Sequence, residues 1–193
     1  MTPFLYVSHP QVKVDADLPV PLWGLSDIGI ARTRAFARDP ALLAFGRIVS
    51  SDEVKAKETA ALLAEALRLP VEVRPAMHEN DRSSTGYLAE AEFQAVANLF
   101  FAHPQESVRG WERAADAQAR IVREVTAALA DAPQTPPIFV GHGGVGTLLL
   151  CHLAGYPISR AHDQPPVGGG CWFQSALDRT PDRWRAMEEA LTP

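Results

Sequence analysis

The chain has 193 residues, 47% of them hydrophobic, and a formal net charge of −5 at pH 7. That length suits one domain spanning residues 1–193 with a sizeable core. The acidic balance argues against a nucleic-acid or anionic-membrane binder, whose footprint would be basic, but leaves room for a small positive pocket.

Phe4 to Val7 is a short apolar run that ends on Ser8, His9 and Pro10, so the first predicted strand, Phe4–Ser8, delivers a histidine at its tip. Asp15 to Gly24 is a proline-rich loop, and Ser26 is a suitable N-cap for a helix through about Arg38. Arg47 to Ser50 reads as a second strand. Ser51 then caps a long helix, Asp52 to Leu69, with Val54, Ala61, Leu62 and Ala66 near one face. Pro70 stops that helix, and Val71 to Pro75 gives a third strand. An irregular polar stretch, His78 to Gly86, precedes two helices, Ala89 to Phe101 and Trp111 to Ala130, the second with Ile121, Val125 and Leu129 at helical spacing. "PPIFV", Pro136 to Val140, is a fourth strand leading to His142, and Gly144 to Gly155 is the helix after it. Gly168 to Leu177 reads as a final strand and Pro181 to Leu191 as a terminal helix. Neither a basic leader region nor an apolar run approaching ~18 residues is present, so a cytoplasmic protein without a membrane span is expected. Cys151 and Cys171 lack ligand-type spacing and read as reduced, partly buried thiols.

Strands that alternate with helices predict an α/β fold, a three-layer αβα sandwich with a mainly parallel central sheet. Ligands of such sheets bind at the carboxyl ends of the strands, where His9 and His142 stand. If their strands are neighbours, both side chains open into one crevice. Imidazole is a nucleophile toward phosphorus when one nitrogen is free and the other is held by a hydrogen bond. Phosphoryl transfer then asks for cationic or N–H donors to the phosphate oxygens and an acid for the leaving group. Lys55, near the start of a helix, and Glu79, in the loop after the third strand, are candidates for those roles. Asp81 competes with Glu79, which is preferred. No His/Cys/Asp/Glu set has metal-ligand spacing, so no metal and no other cofactor is expected.

With these residues in order, the chain resembles the histidine phosphatase superfamily, the phosphoglycerate mutase-like proteins. The family's opening Arg-His-Gly is matched by Ser8-His9-Pro10, and its "Leu-Ser/Thr-x-x-Gly" by Leu25-Ser26-Asp27-Ile28-Gly29. "Ser-x-x-x-Arg-Ala-x-x-Thr-Ala" is matched from Ser51 through Lys55 and Ala56 to Thr59 and Ala60. The acid-bearing segment falls on Met77-His78-Glu79, "Glu-Ser" on Glu106-Ser107, and the strand-His-Gly-Gly on Val140 to Gly144. The resemblance implies a phosphoglycerate mutase-like fold and a metal-independent phosphomonoester hydrolase. His9 would carry a phosphohistidine, His142 would hold the phosphoryl oxygens, and Glu79 would protonate the leaving oxygen. Lys55 would take the place of a second pocket arginine. A small phosphorylated substrate or inorganic phosphate is the expected partner.

Two departures change the electrostatics. Ser8 stands where the family has its first arginine and Lys55 where it has its second. Arginine offers a planar fork for two phosphate oxygens, lysine a point charge and serine none. Pro10 in place of glycine also removes an N–H beside the pocket. A compensating cation is therefore expected, Arg82 first and Lys13 second, both on nearness in sequence. Trp23 and Trp172 are packing residues that could also line the crevice. Two other readings compete: a catalytically impaired relative that binds an anionic ligand or a protein partner, and a mutase, ranked lower for want of a long insertion to enclose a sugar phosphate. "GHGGVG" also spells a dinucleotide fingerprint, but it lies late in the chain, and Asp163, the next acid, does not end a strand.

Overall fold

The computed structural model describes residues 2–181 and 183–191. Among these described residues, six strands form one sheet in the order β3-β2-β4-β1-β5-β6. These are β1 (Phe4–Ser8), β2 (Arg47–Ser50), β3 (Val71–Val73), β4 (Pro137–Gly141), β5 (Cys171–Ser175) and β6 (Arg185–Ala186). β3, β2, β4 and β1 are mutually parallel, whereas β5 and β6 add an antiparallel edge. Among the described residues five α-helices flank the sheet: α1 (Asp27–Phe36), α2 (Val54–Leu67), α3 (Glu90–Ala102), α4 (Ala114–Asp131) and α5 (Gly143–Ala154).

Alternation along the strands splits the core into two layers. Phe4 and Tyr6 of β1 and Phe139 of β4 pack with α3, α4 and α5 through residues such as Phe100, Ile121, Val125 and Leu148. Leu5, Val7, Ile138 and Val140 point the other way, onto Phe36 of α1 and Ala56, Ala60 and Leu63 of α2. Helices therefore cover both faces, giving the expected three-layer α/β arrangement. β1 and β4 are adjacent and in register, Ser8 opposite Gly141, so the strands that end in His9 and His142 are neighbours. No helix among the described residues is long and apolar enough to cross a membrane.

Several expectations are corrected. Ser51 does not cap α2. Glu53 occupies the cap position, and the Ser51 hydroxyl accepts from Glu53 N–H (3.3 Å) and meets His142 Nε2. The buried face of α2 carries Lys55, Ala56, Thr59, Ala60 and Leu63, not Val54, Ala61, Leu62 and Ala66. Small alanines let the helix lie close on the sheet, and Lys55 is drawn inward by Glu53. The final strand is shorter than Gly168–Leu177 because Gly168, Gly169 and Gly170 all have φ between 64° and 77°, a left-handed run that no strand accepts.

The predicted terminal helix is absent among the described residues of its span; Asp182 lies outside them. Trp184, Met187 and Leu191 have helical spacing, but Trp184 enters the α3–α5 core while Met187 and Leu191 enter the α1–α2 core. One helical stripe cannot face both layers. The segment instead wraps around the sheet edge and pairs through β6.

Candidate active site

The carboxyl ends of β1 and β4 place the His9 and His142 rings 5.3 Å apart, centroid to centroid. The backbone holds this pairing: His9 N–H donates to the Gly141 carbonyl (3.0 Å), and Gly170 N–H donates to the His9 carbonyl (2.9 Å). A side chain at Gly169 would lie 2.5 Å from that same carbonyl, so the glycine run is what allows the loop to pass under His9.

His9 is half-buried, and its Nδ1–H donates to the Pro10 carbonyl at 2.9 Å. That bond fixes the tautomer and leaves the Nε2 lone pair free. Pro10 thus supplies an acceptor even though it lacks an N–H. Burial, and secondarily the Lys55 ammonium, push the His9 pKa down to about 4, so the ring is neutral at pH 7.

His142 is fully buried. Its Nε2 lies 2.8 Å from Ser51 Oγ and 3.5 Å from Glu53 Oε1. Burial drives its pKa well below the ordinary histidine value, against the pull of Glu53. The Tyr6 hydroxyl accepts from His142 N–H (3.2 Å) and approaches the His142 carbonyl (3.3 Å), clamping the residue's backbone. A Cβ on Gly141 would sit 2.3 Å from that hydroxyl, which explains the glycine before the histidine.

Glu79 reaches the first turn of α5. Its Oε2 accepts from Gly144 N–H (3.0 Å), and its Oε1 accepts from Val145 N–H (2.8 Å) and Asn80 N–H (3.1 Å). A Cβ at Gly144 would lie 2.7 Å from Oε1, so the glycine after the histidine admits the acid. Arg120 of α4 fastens the loop by donating to the carbonyls of Ala76, His78 and Glu79. Asp81, the competing acid, accepts from Ser83 N–H (2.8 Å) and does not line the His9 crevice.

Lys55 is only 2% exposed, and its ammonium contacts Glu53 Oε2 and the Val20 carbonyl (2.9 Å). Glu53 is the main residue missed in the sequence. One carboxylate oxygen meets Lys55, and the other accepts from Glu79 N–H (2.9 Å) beside His142. Burial opposes its ionisation, but the His142 ring, the Lys55 ammonium and the Glu79 N–H outweigh burial and hold the carboxyl at about 2. Since His142 is itself neutral, Lys55 is the standing counter-charge. Lys57, two residues on, is exposed.

Arg82 half-buries its guanidinium over the Phe93 ring, 4.8 Å from the centroid, and makes no ion pair among the described residues. It lines a crevice of about 590 Å³ together with His9, Glu79, Asn80, Gly143 and Gln164. Lys13 is exposed and does not line it. Neither Trp23 nor Trp172 lines it; Trp111 does. Ser8 is fully buried, bonded to Gln164 and to the Cys171 backbone, so the hydroxyl faces inward. Among the described residues, the buried side-chain nitrogens without a partner are His142 Nδ1 and Asn80 Nδ2, both here. Buried polar atoms are normally satisfied, so two orphans at one place mark where a ligand's polar atoms belong. No group of three or more His, Cys, Asp or Glu that could hold a metal ion occurs among the described residues, and both cysteines are buried free thiols.

Residues 14–189 match the family model for the histidine phosphatase superfamily, branch 1. Among solved structures, the chain is similar to a mycobacterial glucosyl-3-phosphoglycerate phosphatase in complex with inorganic phosphate, at 25% identity over 96% of this chain and 95% of that one, with a TM-score of 0.75. It shares the fold of an alpha-ribazole phosphatase from Shigella flexneri (18% identity, 99% and 100% covered, TM-score 0.72) and of YhfR from Bacillus stearothermophilus (18%, 100% and 98%, 0.75). No curated protein matches the chain.

Proposed function

The chain belongs to the histidine phosphatase superfamily, and from that premise we propose that it is a metal-independent phosphatase of small phosphomonoesters, working through a phosphohistidine on His9. The observation that carries this reading is the state of His9: neutral, with Nδ1 tied to the Pro10 carbonyl and Nε2 facing a crevice shared with Glu79 and Arg82. Nε2 attacks phosphorus while the bond to the leaving oxygen breaks. Glu79 gives that oxygen its proton, then takes one from the water that hydrolyses the phosphohistidine. Arg82 supplies the mobile positive charge and Asn80 Nδ2 a neutral donor. Nε2–H of His142 points to Ser51 and Glu53, and a second proton on Nδ1 makes an imidazolium that donates to a phosphoryl oxygen. Burial keeps that proton off the free ring, and an entering phosphate dianion draws it on, with Glu53 balancing the charge. Lys55 acts from behind, by holding Glu53 ionised. Inorganic phosphate, the ligand in the mycobacterial structure, is proposed to bind the same atoms here.

A generic aryl phosphate tests the reading. Turnover is expected at mildly acidic pH, insensitive to chelator and lost in His9→Ala. Because protonation of His9 sets in only near its lowered pKa, kcat/KM should hold as pH falls through 6.5 and drop near pH 4. Turnover no greater than that of His9→Ala would overturn the reading in favour of an impaired relative that binds an anion or a protein.

A further inference from the structure

Ser8 is buried and its hydroxyl never reaches the crevice, yet it is bonded to a side chain that does. Ser8 Oγ accepts from Cys171 N–H at 3.0 Å and lies 2.8 Å from Gln164 Oε1, closer than the 3.3 Å to the Cys171 carbonyl. With one hydrogen to give, the hydroxyl donates to Gln164. In that bond Oε1 faces Ser8 and Nε2 faces away. Nε2 lies against the first residue of α5, so close that a Cβ on Gly143 would be 2.3 Å from it. No hydrogen-bond partner for Nε2 exists among the described residues, and Gln164 lines the crevice with His9 and Glu79. The backbone of Gln164 is equally fixed. Its N–H donates to Asp163 Oδ1 (2.9 Å), which also accepts from the Thr147 hydroxyl of α5 (3.1 Å).

We propose that Gln164 is a phosphate-binding residue: its Nε2, aimed by Ser8, donates to a phosphoryl oxygen held over His9. Resting on the phosphatase reading above, this assigns the position left by the absent motif arginine to a neutral donor borrowed from a loop 156 residues away. An amide N–H adds no charge, so the site leans on Arg82 for charge and on Gln164 for geometry. Gly143 is the third member of the device, since any side chain there would push the amide aside.

Direct binding of inorganic phosphate and orthovanadate, measured by calorimetry alongside aryl phosphate kinetics, tests this. Gln164→Ala should weaken phosphate binding about tenfold or more, the scale of a lost hydrogen bond to a charged group. Gln164→Glu should weaken it further by placing an anion beside the phosphate. Gly143→Ala should reproduce part of the loss with Gln164 intact. Ser8→Ala should cost less than Gln164→Ala alone, and nothing further in the Gln164→Ala background, a non-additivity that a purely structural serine would not show. Phosphate bound equally well by wild type and Gln164→Ala overturns this inference and leaves the phosphatase reading standing. Failure of the wild-type chain to bind phosphate overturns both.

Discussion

Two short segments carry an acid and a base each, Glu53 with Lys55 and Glu79 with Arg82, and they end in opposite states. Glu53 and Lys55 are almost fully buried and satisfy each other under His142. Glu79 and Arg82 are half-buried and line the crevice, the acid on the α5 N–H groups and the guanidinium over the Phe93 ring with no counter-ion among the described residues. Charge written in the sequence is not the same as charge available to a ligand. The inner pair sets the field and fixes the geometry of His142 and Glu79, while the outer pair faces the crevice.

Substitutions that respect shape separate the two roles. Glu79→Gln keeps one oxygen for Val145 N–H but turns an NH2 toward Gly144 N–H, and it cannot donate the leaving-group proton, so kcat should fall about 10²–10⁴-fold with a stability loss of about 1–3 kcal/mol for the N–H left without an acceptor. Esters with good leaving groups should be affected least, and a uniform loss across leaving groups would remove Glu79 from the acid role. Glu53→Gln has the opposite signature. It strands a buried ammonium and should destabilise the fold by about 3–5 kcal/mol, read by denaturant unfolding, whereas Glu53→Gln with Lys55→Met should regain most of it. A Glu53→Gln protein as stable as wild type would mean the pair is not the structural unit described. Arg82→Ala should lower kcat/KM about 10-fold to 10²-fold and leave the unfolding midpoint nearly unchanged, with Arg82→Lys intermediate because it keeps the charge but loses the fork. Loss of stability on that scale, without a kinetic effect, would place Arg82 with the inner pair.

How much of this was legible beforehand follows from how local each signal is. The strands that end in His9 and His142 announce themselves by short apolar runs, and a parallel sheet brings strand tips to one edge, so both histidines could be read from neighbours in sequence. Glu79 is legible as an acid in the loop after a strand and from the acid-bearing segment of the family pattern, whereas Arg82 is marked only by its nearness in sequence to Glu79. Glu53 was not: it reads as an ordinary acidic residue at a helix start, and only the fold reveals that Ser51 has left the cap for His142. Gln164 carried no local sign at all, because its meaning comes from Ser8 across the sheet. The terminal segment misled by offering a true helical spacing at Trp184, Met187 and Leu191 that serves two separate cores.

The covalent step at His9 underlies every role proposed for the crevice. Rapid acid-free quenching of the protein during turnover of a radiolabelled aryl phosphate should trap phosphate on His9, labile to acid and stable to base, absent from His9→Ala and accumulating in Glu79→Gln, where a good leaving group departs without an acid but hydrolysis lacks its base. Turnover without any phosphate on His9, or label carried by another residue, would contradict it.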